Sequence, residues 1–223
     1  MTRPVALLLA LIALAVPLSL LAGRVWFDPF SELSSNALII LTELRLPRAV
    51  LAVTLGAGLG AAGAAMQGYL RNPLADPGLF GIAPGAALGA VLSFWTGWAS
   101  TAWVLPLFAL AGAAGAMALL GLIAGRTGSV MLFTLAGMMI ASLAGALMSL
   151  AISLSPTPFA MSEIVTWLMG ALTDRLMEDV LTALPFMAIG ALLLLTTGHA
   201  LDALTLGENE IGRASCRERV SSP

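Results

Sequence analysis

Reactive side chains are scarce in this 223-residue chain, and their scarcity narrows the chemistry. There is one histidine, His199, and one cysteine, Cys216. Such a pair cannot build a protein metal cage, and a single thiol cannot close an internal disulfide. No metal site and no cofactor are expected, and His199 reads as a packed or interfacial residue. All ten basic residues are arginine, with no lysine anywhere. A Walker-A loop needs a lysine that reaches the β- and γ-phosphates. The chain is therefore not expected to be an enzyme that hydrolyses ATP by a P-loop of its own. No basic stripe points to nucleic acid. The polar chemistry that remains is concentrated in one island, residues 66–89, MQGYLRNPLADPGLFGIAPGAALG. Gln67, Arg71, Asn72 and Asp76 sit there among Pro73, Pro77 and Pro84, with apolar sequence on both sides.

The elements that must position this island are apolar helices. Hydrophobic residues make up 59% of the chain and charged residues 10%, with a mean hydropathy of +0.99. A water-soluble fold cannot bury that much apolar surface, so the expected class is an all-α, polytopic integral membrane bundle. Each span needs roughly 20 apolar residues, and the sequence offers about six: Val5–Ala22, Ala49–Met66, Leu79–Ala99, Val104–Ala124, Val130–Leu154 and Val180–Thr197. The first admits a second reading, a signal peptide, since Arg3 precedes an apolar run that ends in small residues. The runs are unbroken rather than alternating, which disfavours strands. Gly81, Gly85 and Gly89 recur every four residues, as do Gly56 with Gly60 and Gly121 with Gly125. That spacing lets helix backbones approach closely in lipid. Orientation by charge is ambiguous. With the N-terminus inside, Arg24, Arg45, Arg48 and Arg175 fall outside, against the positive-inside bias.

Asn72-Pro73 and Asp76-Pro77-Gly78 break helices, because proline lacks an amide donor and restricts the residue before it. Asp76 followed by Pro77 also suits a helix start, with Asp as N-cap. The second span should end near Leu70 and the third begin near Asp76, with Pro84 bending it. Two readings fit this junction. It is an ordinary short loop, or it is irregular backbone at membrane depth whose groups Gln67, Arg71, Asn72 and Asp76 satisfy beside a water-filled path.

Arg45-Leu-Pro-Arg48, the Gly/Ala-rich span after it, and MQGYLRNPLADPGLFGIAPGAALGA resemble the FecCD/BtuC-type permease family. These are membrane subunits of bacterial ABC importers for iron–siderophores, haem and vitamin B12. Thr166-Trp167-Leu168-Met169-Gly170 resembles the family's outer-face segment, and Leu201-Asp-Ala-Leu-Thr-Leu206-Gly207-Glu208 the start of its ATPase-coupling region. The resemblance covers residues 1–209 and implies about six of roughly ten spans in a multi-pass protein of the inner membrane. It implies a cytoplasmic N-terminus, ATP-binding subunits, a second permease subunit, surrounding lipid and a periplasmic substrate-binding protein. Arg45 and Arg48 would dock carboxylates of that binding protein, and charge-assisted guanidinium contacts suit the task. Anchoring of a helix end in the headgroups is the alternative. Residues Gln67, Arg71, Asn72, Pro73, Asp76, Pro77 and Gly78 would form an inner-end junction beside the translocation path. Residues 155–179 should hold a short periplasmic surface helix, with Trp167 at the interface.

Residues 210–223 differ in composition, carrying three of the ten arginines and the only cysteine. Glu210–Val220, EIGRASCRERV, resembles the translation of a sequencing-library adapter, so residues 210–223 are expected to be non-native. A chain ending there is expected not to transport by itself. The rival functional class is an ion-coupled secondary transporter or channel. Such proteins place ionisable residues within spans, and the spans here carry almost none.

Overall fold

The computed structural model describes residues 3–23, 26, 35–98, 103–125, 129–155, 157–173, 175–198 and 200–201. Among these there are helices and turns and no strand. In chain order the helices are α1 (Arg3–Leu21), α2 (Ser35–Ile39), α3 (Leu46–Leu70), α4 (Ile82–Trp95), α5 (Val104–Ala124), α6 (Val130–Ser153), α7 (Pro158–Leu168) and α8 (Met177–Thr196). A π-helical segment, Ile40–Arg45, joins α2 to α3 without a break, so that Ser35–Leu70 runs as one helix of 36 residues. Among the described residues, five helices are long and apolar enough to cross a membrane: α1, Ser35–Leu70, α5, α6 and α8.

The expected span over Leu79–Ala99 is corrected. Its helix, α4, has only 14 residues, about 21 Å at 1.5 Å per residue against a hydrocarbon core of about 30 Å. Apolar sequence continues at both ends, but the backbone does not stay helical. Gly81 at φ 78° separates a 3₁₀ turn, Pro77–Phe80, from α4, and Gly97 at φ 73° follows its other end. Pro84 does not bend α4 from within either. It sits in the first turn, where an amide would have no partner in any case.

Contacts divide the chain into two units, Met1–Leu59 with Leu172–Leu192, and Gly60–Ala171 with Leu193–Pro223. The first unit buries little: Ala37, Pro47, Ala49, Leu51 and Val180 are its enclosed side chains, and α1 buries none. The second unit has a core of Leu70, Ala75, Phe80, Ala116, Leu120, Ala124, Ala136 and Ile140, with Met66 and Phe133 against it. Half of those eight core residues are alanine. Small side chains bring helices close where lipid supplies no hydrophobic drive to associate. Elsewhere large apolar residues face outward, Leu122 at 80% exposure and Leu195 at 76%, as they do on a lipid-facing surface.

Candidate functional site

The polar island between α3 and α4 is built from local hydrogen bonds. At the end of α3 the Arg71 amide donates to the Gly68 carbonyl (3.3 Å) and the Asn72 amide to the Gln67 carbonyl (3.2 Å). This pair of bonds is a Schellman motif, which satisfies carbonyls the helix end leaves open. Its left-handed position normally takes glycine, yet here Arg71 adopts it, at φ 50°. The Ala75 amide then donates to the Asn72 carbonyl (3.1 Å), and Asn72 Oδ1 accepts from the Leu74 amide (3.0 Å). Asp76 caps the 3₁₀ turn, its Oδ1 accepting from the Gly78 amide (2.6 Å). Pro73 and Pro77 occupy positions where no amide is needed. Of the four polar side chains, those of Asn72 and Asp76 hold backbone amides, while those of Gln67 and Arg71 are exposed.

Three apolar anchors fix this junction to the second unit. Leu70, Ala75 and Phe80 are all buried, Phe80 at 1% exposure. The Phe80 and Phe133 rings lie 5.3 Å apart, and Tyr69 meets Phe133 edge-on at 5.5 Å. Gly137 on α6 makes room for Phe80, since a Cβ there would sit 2.8 Å from Cδ1 and 3.0 Å from Cα of that residue. Gly81 packs against Ile140 and the Ala141 amide of α6. The junction is thus a stiff turn with its polar atoms largely spent on itself, and it has no catalytic constellation.

The three glycines spaced by four do different things. Gly85 and Gly89 lie on α4 against α5, where an added Cβ would meet the Gly112 carbonyl oxygen at 2.8 Å or overlap that of Phe108. Gly81 is outside the helix and faces α6. The partner glycine, Gly112, was not singled out in the sequence, although the run Gly112-Ala-Ala-Gly115-Ala116 is the complementary small-residue signal. An apolar cleft of about 330 Å³ runs over this contact, edged by Leu92, Phe108, Leu143 and Leu147. At the end of α4, the Trp95 indole Nε1 donates to the Ala151 carbonyl of α6 at 2.8 Å.

The arginine pair belongs to the first unit. Arg45 ends the π segment, and its Nη1 donates to the carbonyls of Leu20 (2.7 Å) and Leu21 (2.9 Å), the last residues of α1. Arg48 lies one turn further on and is exposed. Sequence spacing gave no sign of the Arg45 bonds, which close over 24 and 25 residues.

In the segment after α6, Thr157 caps α7 by accepting from the Ala160 amide (3.2 Å), and Gly170 at φ 68° ends it. Trp167 is half-buried and Ile164 is fully enclosed. Arg175 lies 3.8 Å from Asp179, whose Oδ2 accepts from the Leu176 amide (3.0 Å) at the start of α8. Leu206, Gly207, Glu208, His199 and residues 210–223 lie outside the described residues. Among the described residues no three His, Cys, Asp or Glu side chains converge as metal ligands.

The sequence matches the FecCD transport family over residues 5–213. This chain belongs to that family. It is 38% identical over 177 residues to the uncharacterized ABC transporter permease protein YvrB of Bacillus subtilis, covering 77% of this chain and 50% of that protein. It is 36% identical over 210 residues to the vitamin B12 import system permease protein BtuC of Pectobacterium atrosepticum, covering 92% of this chain and 62% of BtuC. A solved ABC transporter, described as of metal-chelate type and in an inward-facing conformation, superposes with a TM-score of 0.82 at 28% identity. That match covers 93% of this chain and 66% of the solved one. The chain spans about half the length of most curated relatives it matches, from 49% to 62% of each. As a FecCD chain with apolar helices of spanning length, it is a multi-pass protein of the bacterial inner, or plasma, membrane.

Proposed function

We propose that this chain forms the N-terminal spans of the permease subunit of a bacterial ABC importer. That importer moves a metal chelate, an iron–siderophore or alternatively haem or cobalamin, from periplasm to cytoplasm by alternating access. ATP binding and hydrolysis take place in partner subunits, a second permease subunit completes the pathway, and a periplasmic binding protein delivers the substrate to the Arg45–Arg48 end. The NPLADPG junction is a rigid corner at the cytoplasmic end of α3, beside that pathway. The family match over residues 5–213 carries this reading.

The interior of the spans supports ATP-driven over ion-coupled transport. Helices α5 and α6 contain no Asp, Glu, Lys, Arg or His, and the acidic residues of α8 are confined to its first turn. Proton and sodium coupling use ionisable residues inside spans. The test is uptake of labelled ferric siderophore, haem and cobalamin into vesicles holding the complete permease with its ATP-binding subunits and binding protein. Uptake that requires ATP and survives ionophores is expected. Uptake that an ion gradient drives without the ATP-binding subunits would overturn the proposal.

A further inference from the structure

The apolar cleft over the α4–α5 contact has dimensions that select an occupant. We infer that it seats one acyl chain of a membrane lipid, held along α5 and α6 in the leaflet on the Trp95 side. The inference rests on these helices lying in a bilayer and not on the importer reading.

Length comes first. On α5 the lining runs from Phe108 to Leu119, about 16 Å at 1.5 Å per residue. Half of a hydrocarbon core of about 30 Å is about 15 Å. The cleft is therefore as long as one leaflet is deep. Its position agrees. On α6 the lining runs from Ile140, near the middle of the helix, to Leu147, near its end. One turn beyond Leu92 and Leu147 along their helices, the Trp95 indole donates to the Ala151 carbonyl. Trp98 and Trp103 are exposed at the same end of α4 and α5. Tryptophans collect at the level of the lipid headgroups. A chain entering from that level reaches the bilayer midplane along the cleft.

Width and chemistry narrow the choice. A volume of about 330 Å³ over that length is a cross-section of about 20 Å². An α-helix, about 10 Å across, needs roughly 80 Å², so a further helix would lie over the mouth and not within it. A polymethylene chain, with carbon contacts of about 3.5–4.0 Å on each side, fits. Helices α4, α5 and α6 contain no Asp, Glu, Lys, Arg or His, so an ionised occupant would find no partner. The floor is small, with Gly85, Gly112 and Ala116, and the walls Leu92, Leu119, Leu143 and Leu147 keep 40% to 54% exposure. Gly115 also lines the cleft, and a Cβ there meets no atom within 4 Å. The small residues that let α4 and α5 touch thus leave a groove beside the contact. Its lining forfeits dispersion contacts unless something as thin and flexible as a hydrocarbon chain enters.

The full chain is placed in nanodiscs of phosphatidylethanolamine and phosphatidylglycerol, with a trace of phosphatidylglycerol bearing a mid-chain diazirine. After photolysis, peptide mapping reads which side chains carry lipid. Adducts at Leu119, Leu143 and Leu147 are expected. Gly115→Leu puts a side chain into the cleft, and these adducts should fall at least about tenfold, as two or more methylenes leave an apolar seat. Adducts at Leu122, which is 80% exposed and outside the lining, should change by less than one methylene's worth, which also shows that the variant has inserted. Gly121→Leu, equally open but outside the lining, is the matched control and should leave the cleft adducts in place. If Gly115→Leu does not insert, Ala111→Leu fills the cleft from the same helix. Cleft adducts that survive filling come from lipid passing over the surface and overturn the inference. Labelling at Leu122 with none in the cleft overturns it as well. So does cleft labelling that vanishes in the complete permease, since the space then belongs to protein.

Discussion

Replacing Gly89 by alanine is expected to push α4 and α5 apart. The added Cβ would overlap the Phe108 carbonyl oxygen and lie 2.9 Å from its carbon. Carbon–oxygen contacts settle near 3.3–3.6 Å, so one backbone must retreat by about 1 Å. Neither atom belongs to a side chain that can swing away. Overfilling of this kind costs roughly 1–3 kcal/mol. Alanine returns about 0.5–1 kcal/mol in helix propensity. Less of that gain counts in lipid, where a dissociated helix stays helical. Gly112→Ala presses on the same contact from α5, against the Gly85 carbonyl.

Gly115 and Gly121 provide the internal control. They lie on the same helix as Gly112, and a Cβ at either finds no atom within 4 Å. Their alanine variants change propensity without a clash, so subtracting them cancels that contribution and isolates the clash. The expected difference, Gly89→Ala against Gly115→Ala, is about 1–3 kcal/mol of lost stability. Titration of the chain from mixed micelles into SDS, followed by tryptophan emission, reads it directly. Trp95, Trp98 and Trp103 lie at the end of α4 and the start of α5 and report on their separation. All four variants unfolding within about 0.5 kcal/mol of one another would refute the close backbone contact.

Three further outcomes follow from the same geometry. Arg71→Gly relieves a left-handed backbone that costs a side chain about 1–2 kcal/mol and should stabilise the end of α3 by up to about 1 kcal/mol; destabilisation in the same SDS titration would contradict the φ 50° assignment. Asp76→Ala removes the cap on Gly78 and should cost about 1 kcal/mol, with Asp76→Asn within a few tenths of the original; equal losses would show that charge, not the cap, matters. Trp95→Phe keeps the ring and loses the donor to the Ala151 carbonyl, for about 1 kcal/mol; an unaltered midpoint would mean that water serves that carbonyl equally well.

Hydropathy located most of the long helices well, but the helix expected over Ala49–Met66 runs from Ser35 to Leu70, beginning 14 residues earlier. The bounds read for Val104–Ala124 are those of α5, and α6 ends one residue before the expected Leu154. Both helices stop where apolar character stops, so the two signals coincide. They part company at α4. Leu79, Phe80 and Gly81 are apolar but belong to a 3₁₀ turn and a left-handed residue, and hydropathy does not register φ. The π segment was invisible for a related reason, because six residues with one widened turn leave no distinguishable period. Asp76 as a cap was legible, since Asp-Pro-Gly encodes its own geometry within three residues. The Arg45 bonds were not, since their acceptors are main-chain carbonyls that any residue would supply.

That contrast explains why the polar island looked more chemical in the sequence than it is in space. An Arg, an Asn, an Asp and a Gln within ten residues suggest a ligand set. In the fold the Asn72 and Asp76 oxygens are already engaged by the Leu74 and Gly78 amides, and Phe80, five residues on from Ala75, pins the turn to α5 and α6. Moving either oxygen toward a substrate would leave an amide without its partner at the end of an apolar helix, at a cost of about 1–3 kcal/mol if no water replaced it. The same bonds give a stiff corner that can transmit a rigid-body movement of α3 to α4 without absorbing it. Under the importer function proposed above, a corner of that kind would serve alternating access by resisting deformation. For that role, Asn72 and Asp76 are better placed bound to their own backbone than free to bind cargo.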